Sequence, residues 1–242
     1  MQRGLNNLFV AEWLKLRATK IWMVPLLILL PLAYNIFMLK KVMVDQYQFT
    51  DENQWLVAMM MFVVLGGSLF YPFISAMLTS HINRIEDQQN SWKIMLTLPY
   101  TWSQVYLAKI IWLVLLALMT QVIFLIGLIT IGKFMGLDDP ILWQDILFQV
   151  FLGWIGLSVL NVIQFWISYY FKNSITPIVI GVILSIPVFI LAESSYGFVY
   201  PWAMPVLGMN GNANVPFFIL ITIVYTLLFG YGGAKFFIRK GT

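Results

Sequence analysis

Six uninterrupted apolar stretches, each about as long as a bilayer is thick, decide what this chain can become. They run from about Ile21 to Leu39, Trp55 to Leu78, Val105 to Ile131, Ile146 to Phe171, Ile175 to Ala192 and Val215 to Phe237. A helix needs roughly 20 apolar residues to cross a hydrocarbon core, because there every backbone N–H and C=O must find its partner within the segment. Barrel strands are shorter and alternate apolar with polar residues, so runs of this length point away from a barrel. With 10% charged residues, against about 25% in a soluble domain, the chain reads as an all-α integral membrane protein of six transmembrane helices, one domain over residues 1–242.

The basic start ahead of an apolar run has the outline of a signal peptide. The first span, however, is of full crossing length, contains Pro25 and Pro31, and reaches Lys40 and Lys41 without a small-residue cleavage pattern, so it is expected to be retained.

Orientation follows from where Lys and Arg fall. With the N-terminus inside, eleven of the 14 basic residues (Arg3, Lys15, Arg17, Lys20, Arg84, Lys93, Lys109, Lys172, Lys235, Arg239 and Lys240) lie on the inner side, and Lys40, Lys41 and Lys133 lie outside. The acids divide the other way, three inside and seven outside, which gives +8 inside and −4 outside. Both termini are therefore expected in the cytosol. Topology and anionic inner-leaflet lipid account for the basic balance, so it does not point to nucleic acid.

Local signals sharpen the boundaries. Thr101-Trp102-Ser103-Gln104 has the form of a capping box behind Pro99 and starts a long third helix from Trp102 to Ile131. Asp139-Pro140 predicts the start of the fourth, and Asn173-Ser174 that of the fifth. Within residues 1–20, Leu5, Leu8, Phe9, Trp13 and Leu16 share one helical stripe, with Lys15, Arg17 and Lys20 placed for head groups, so an amphipathic helix on the inner leaflet is expected. Residues 194–214, with Pro201, Pro205 and several Gly and Asn, are too broken for an ordinary helix, while Tyr196, Phe198, Tyr200 and Trp202 suit a membrane interface. Irregular backbone at membrane depth needs protein or water to cover it, so this segment is either re-entrant or external.

Motifs for chemistry are sparse. Gly127 to Phe134 matches a phosphate-binding loop except for its final Ser or Thr, but sits at the end of an apolar helix. His81 is the only histidine, and the chain has no cysteine, so neither a zinc site nor thiol chemistry is indicated. Glu193 reads as an interfacial carboxylate or a contact for substrate. No span carries an acid/base pair near its centre, which weighs against proton coupling and against the rival reading of an intramembrane enzyme.

One polar island interrupts the apolar chain, HINRIEDQQNSWKIMLTLPYTWSQ from residue 81. Its latter part, Asn90-Ser-Trp-Lys-Ile-Met-Leu-Thr-Leu-Pro99, together with Glu12-Trp-Leu-Lys-Leu-Arg17, Tyr106-Leu-Ala-Lys109 and Tyr200-Pro-Trp-Ala-Met-Pro205, resembles permeases of the ABC-2 type. More narrowly, the chain resembles lantibiotic-protection permease subunits over essentially its whole length. The resemblance implies six transmembrane helices with an N-terminal connecting helix, a coupling element in the loop at 81–101, and a short re-entrant hairpin at 194–214. It implies no catalytic, metal or cofactor site in this chain; ATP and magnesium would be held by a separate ATPase subunit, present in two copies or as a dimer. A second permease, identical or a sister chain, and a cationic peptide substrate are further implied partners, in a bacterial plasma membrane. Another ABC-2 substrate, such as a lipid, polysaccharide or drug, is the alternative. Coupling is expected at Glu86, Asp87, Asn90, Trp92, Lys93, Met95, Leu96, Leu98 and Pro99, with a short helix from about Ser91 to Leu98 presenting Trp92, Met95 and Leu96 to the ATPase. The connecting helix would act through Leu5, Phe9, Glu12, Trp13 and Leu16, and the outer hairpin through Glu193, Tyr200 and Trp202.

Overall fold

The computed structural model describes residues 2–45, 53–88, 101–171, 173–192, 194, 196–211 and 214–241. Among these residues every regular element is helical. Helix α1 spans Gln2–Arg17 and, after two 3₁₀ turns at Lys20–Met23 and Pro25–Ile28, α2 spans Leu29–Asp45. Pro25 causes that interruption: it has no N–H to donate, so it opens a new turn, while Thr19 caps the turn before it through Ile21 N–H. Helix α3, Gln54–Met61, runs through one π-helical stretch at Phe62–Gly67 into α4, Ser68–Gln88. Gly66 lies in this stretch because α2 passes close by; a Cβ there would come within 3.0 Å of both Pro31 and Asn35.

Helix α5, Trp102–Phe134, has 33 residues, or about 50 Å at 1.5 Å per residue. Its start is the capping box expected from sequence: Gln104 N–H donates to Thr101 Oγ1 at 3.4 Å and Thr101 N–H to Gln104 Oε1 at 3.1 Å. Its end is a Schellman turn, with Leu137 N–H on Gly132 O at 2.9 Å and Gly136 N–H on Lys133 O at 3.0 Å. Gly136 takes φ +77°, where a side chain would be strained. The phosphate-loop look-alike is thus helix packing surface, with Gly127 against Leu29 and Gly132 against Trp55.

Helix α6 is Trp143–Tyr170, α7 is Ile175–Ser185, α8 is Val188–Leu191, α9 is Met204–Met209 and α10 is Val215–Gly241. Helix α6 is central, packing against α4, α5, α9 and α10. The core follows these contacts, with Phe62, Leu113, Phe124, Leu157, Phe165 and Phe218 among its closed side chains.

Three boundaries differ from the sequence reading. Residues 81–88 continue α4 rather than opening a loop at 81. Helix α6 starts at Trp143 and not at Asp139-Pro140, because Asp139 is engaged elsewhere: its carboxylate accepts Gln54 N–H at 2.8 Å and its carbonyl accepts the Trp55 indole at 2.8 Å. Among the described residues, five helical segments, Lys20–Lys41, Gln54–Ile85, Trp102–Phe134, Trp143–Tyr170 and Val215–Lys235, are long and apolar enough to cross a membrane. The stretch expected at 175–192 is a shorter apolar segment, Ile175–Leu191, divided at Pro187 into α7 and α8.

Candidate functional site

At the end of the bundle where α4 finishes and α5 begins, α1 is clamped onto α5. Leu8, Glu12 and Leu16 fall one turn apart on α1 and are all buried. Two leucines facing α5 are the expected amphipathic packing; a carboxylate between them is not, since burying a charge without a partner is costly. Lys109 of α5 provides the partner: its Nζ lies 3.1 Å from Glu12 Oε2, with no solvent exposure of the lysine side chain. Lys15 reaches the other carboxylate oxygen, Oε1, at 3.1 Å from a more exposed position.

Four aromatic rings pack together where α1 meets α5. Trp112, one turn after Lys109, stacks on Phe9 with 4.6 Å between centroids and on Trp13 with 5.3 Å, while Trp22 meets Trp13 edge-on at 5.2 Å. Their indoles also bond to backbone, Trp112 to Phe9 O at 3.2 Å and Trp22 to Leu16 O at 3.0 Å. The latter satisfies a carbonyl in the last turn of α1, which has no partner within the helix. Stacking, hydrogen bonds and the ion pair together join α1, the turn at Lys20–Met23 and the first third of α5 into one body. Helix α1 is therefore docked on protein, rather than held by head groups alone.

Thr101 caps α5 directly after residues 89–100, so a displacement of that connection acts on the end of the helix that Glu12 and Trp112 grip. Glu86 and Asp87 occupy the last turn of α4, their side chains lying outside the described residues. Asn90, Trp92, Lys93, Met95, Leu96, Leu98 and Pro99 also lie outside them, as does the side chain of Leu5.

The second feature is the segment before α10. Residues 197–209 form 3₁₀ turns at Gly197–Val199 and Pro201–Ala203, then α9, in which every residue is buried. Helix α9 enters the bundle beside the middle of α6. A Cβ on Gly156 would stand 2.3 Å from Met204 O, and one on Gly208 would stand 2.5 Å from Leu152 O, so two backbones meet where only glycine permits it. At the end of α9, Met209 Sδ accepts the Tyr71 hydroxyl at 2.8 Å, and that hydroxyl also lies 3.1 Å from Gln121 Oε1. Tyr200 donates to Leu184 O at 2.6 Å, which ties this segment to α7, and packs 5.7 Å from Trp202. Glu193 lies outside the described residues.

At the far end of the bundle, the turn after α5 is fastened to the start of α3. Asn53 donates to Pro140 O at 2.8 Å and Asp138 N–H to Gln54 Oε1 at 3.2 Å, beside a polar cleft lined by Lys133, Asp138 and Asp139.

Sequence reasoning singled out Glu12, Phe9, Trp13 and Leu16, and the structure brings them together. It missed that Lys109 is Glu12's partner, although a lysine inside an apolar helix is itself a signal that a carboxylate must be near. The Tyr71, Gln121 and Met209 cluster had no signal beyond single polar residues within apolar spans.

Residues 8–188 match the model of a family described as ABC-2 family transporter protein. No curated protein and no solved structure gave a match.

Proposed function

Since the chain belongs to the ABC-2 family of transporter proteins, we propose that this permease subunit serves an ATP-driven exporter that removes a cationic peptide antibiotic, of the lantibiotic kind, from the membrane and so protects the cell that makes or meets it. The family implies an ABC ATPase as its partner; ATP and magnesium would be bound there, and a second permease, identical or a sister chain, would complete the pore.

The observation that carries the transport reading is the clamp of α1 on α5. A permease with no energy source of its own must receive force at its cytosolic end and convert it into helix movement. Here the α4–α5 connection meets the capped end of a helix about 50 Å long, and Glu12 with Lys109 locks that helix to the N-terminal segment. In this scheme Trp92, Met95 and Leu96 insert into a groove of the ATPase, Pro99 and the Thr101 cap make the junction stiff, and α5 carries the motion across the bilayer. Both termini lie in the cytosol of a bacterial cell.

The peptide substrate is favoured by the outer charge of −4 assigned from sequence; Asp138 and Asp139 line the far-end cleft. Two experiments separate the layers of the proposal. Trp92→Ala, inserted normally, should lose the ATPase in pull-downs, since a buried interface aromatic is commonly worth about 2 kcal/mol or more; retention of the ATPase with full transport overturns the coupling role. Cells carrying the intact transporter should then survive higher doses of cationic lantibiotics than cells lacking it. Equal sensitivity, with the complex assembled, removes the peptide and leaves a lipid, polysaccharide or drug substrate.

A further inference from the structure

A groove of about 220 Å³ lies between α5, α6 and α10. Its walls are Ile110 and Val114 from α5, Trp154 and Val159 from α6, and the α10 face that carries Thr222. The only polar side chains on it besides Trp154 are three hydroxyls, and they differ. Ser158 donates to Trp154 O at 2.8 Å and Thr226 to Thr222 O at 2.8 Å, the usual return bond of a hydroxyl to its own helix. Thr222 makes no such bond: its Oγ1 is buried, lines the groove and has no hydrogen-bond partner. The Trp154 indole is already used, donating to Val114 O at 3.0 Å.

An unpaired hydroxyl in an apolar setting is costly, and a rotation onto the Phe218 carbonyl one turn back would have relieved it. A saturated hydrocarbon chain in the groove would leave it unpaired. The membrane-type exposure of α10, with Leu220, Ile223, Leu227 and Leu228 all open, places the groove within reach of molecules dissolved in the bilayer. Its depth, beside the middle of α6, disfavours a charged head group.

We infer that this groove binds a neutral hydrophobic molecule bearing one carbonyl oxygen, its body lying along Val114 and Val159 and its oxygen accepting from Thr222. The volume suits a compact ligand or one end of a longer one, being just below the range of ordinary small-molecule sites. This site stands independently of the substrate reading above.

Benzophenone supplies a direct probe, being neutral, apolar, built around one carbonyl and photoreactive. The full chain in nanodiscs would be irradiated with it and the labelled residues mapped by mass spectrometry. Labelling should concentrate on 110–114, 154–162 and 222–226. Thr222→Val, which keeps shape but removes the donor, should reduce that labelling about fivefold, the effect of one ordinary hydrogen bond; Thr222→Ser should restore it, and Val159→Trp should abolish it by filling the space. A diazirine-bearing alkane, without an acceptor, should label the wild type and Thr222→Val equally. Label spread evenly over the open residues of α10, or unchanged in Thr222→Val, would overturn the assignment.

Discussion

Replacing Glu12 by Gln keeps the length and shape of the side chain while removing the charge that meets Lys109 and Lys15. Two unit charges 3.1 Å apart attract by on the order of 5 kcal/mol at an effective dielectric of about 20. Desolvation of both groups offsets much of that in the intact pair, but removing one partner alone takes this carboxylate away from an ammonium that stays buried, a change that commonly costs about 3–5 kcal/mol. The Lys109 side chain is shut off from solvent, so water cannot replace the lost carboxylate. At roughly 2–4 °C per kcal/mol for a chain of this size, Glu12→Gln should lower the unfolding midpoint in nanodiscs by about 6–20 °C. Helix α1 amides should exchange faster at temperatures where the rest of the bundle is still folded. Lys15→Gln is the control: that lysine is partly exposed, and loss of a solvent-screened pair should cost under about 1 kcal/mol. Adding Lys109→Met to Glu12→Gln should recover most of the midpoint, since the buried ammonium is then removed together with its carboxylate. A midpoint for Glu12→Gln equal to that of Lys15→Gln, or no recovery in the double variant, would refute the reasoning.

Four further outcomes are expected. Gly156→Ala should destabilise by about 1–3 kcal/mol because its Cβ meets the backbone carbonyl of Met204, which cannot step aside; Gly230→Ala, with nothing within 4 Å, should be neutral or slightly stabilising in the same thermal assay. Tyr71→Phe removes the donor to Gln121 and Met209 and should cost about 1–3 kcal/mol, with α9 labelled more readily by a thiol reagent at an introduced Met209→Cys. Cysteines at Gly211 and at Lys172 should react with impermeant reagent from opposite sides, Gly211 from outside, as the charge division requires; labelling of both from one side would reverse the topology. Neutralising Asp138 and Asp145 together should weaken peptide protection most at low ionic strength, where screening is least, with unchanged protection at normal surface expression removing the acidic face from the mechanism.

Much of this protein is written in one dimension, because the bilayer asks a one-dimensional question. Whether a segment can cross depends on its own length and polarity, so the helical class and most spans follow from composition along the chain. Caps are equally local: Thr101 with Gln104 is separated by a single turn, and the capping box formed as read. Local signals failed where a tertiary contact competed for the same group. Asp139 could have capped a helix at Pro140, but Gln54 and Trp55, 85 and 84 residues away, took its carboxylate and its carbonyl, and α6 began at Trp143. His81 to Gln88 looked like loop because they are polar, yet helix propagation from α4 continues through them. What only the tertiary structure decided is which rare polar residues meet. Glu12 and Lys109 are 97 positions apart, and Tyr71 and Met209 are 138 apart; no periodicity links such pairs. Their pairing is fixed by the depth at which α1 and α9 dock, and that depth is set by shape, by the stacked rings over α5 and by the glycines that let α9 touch α6.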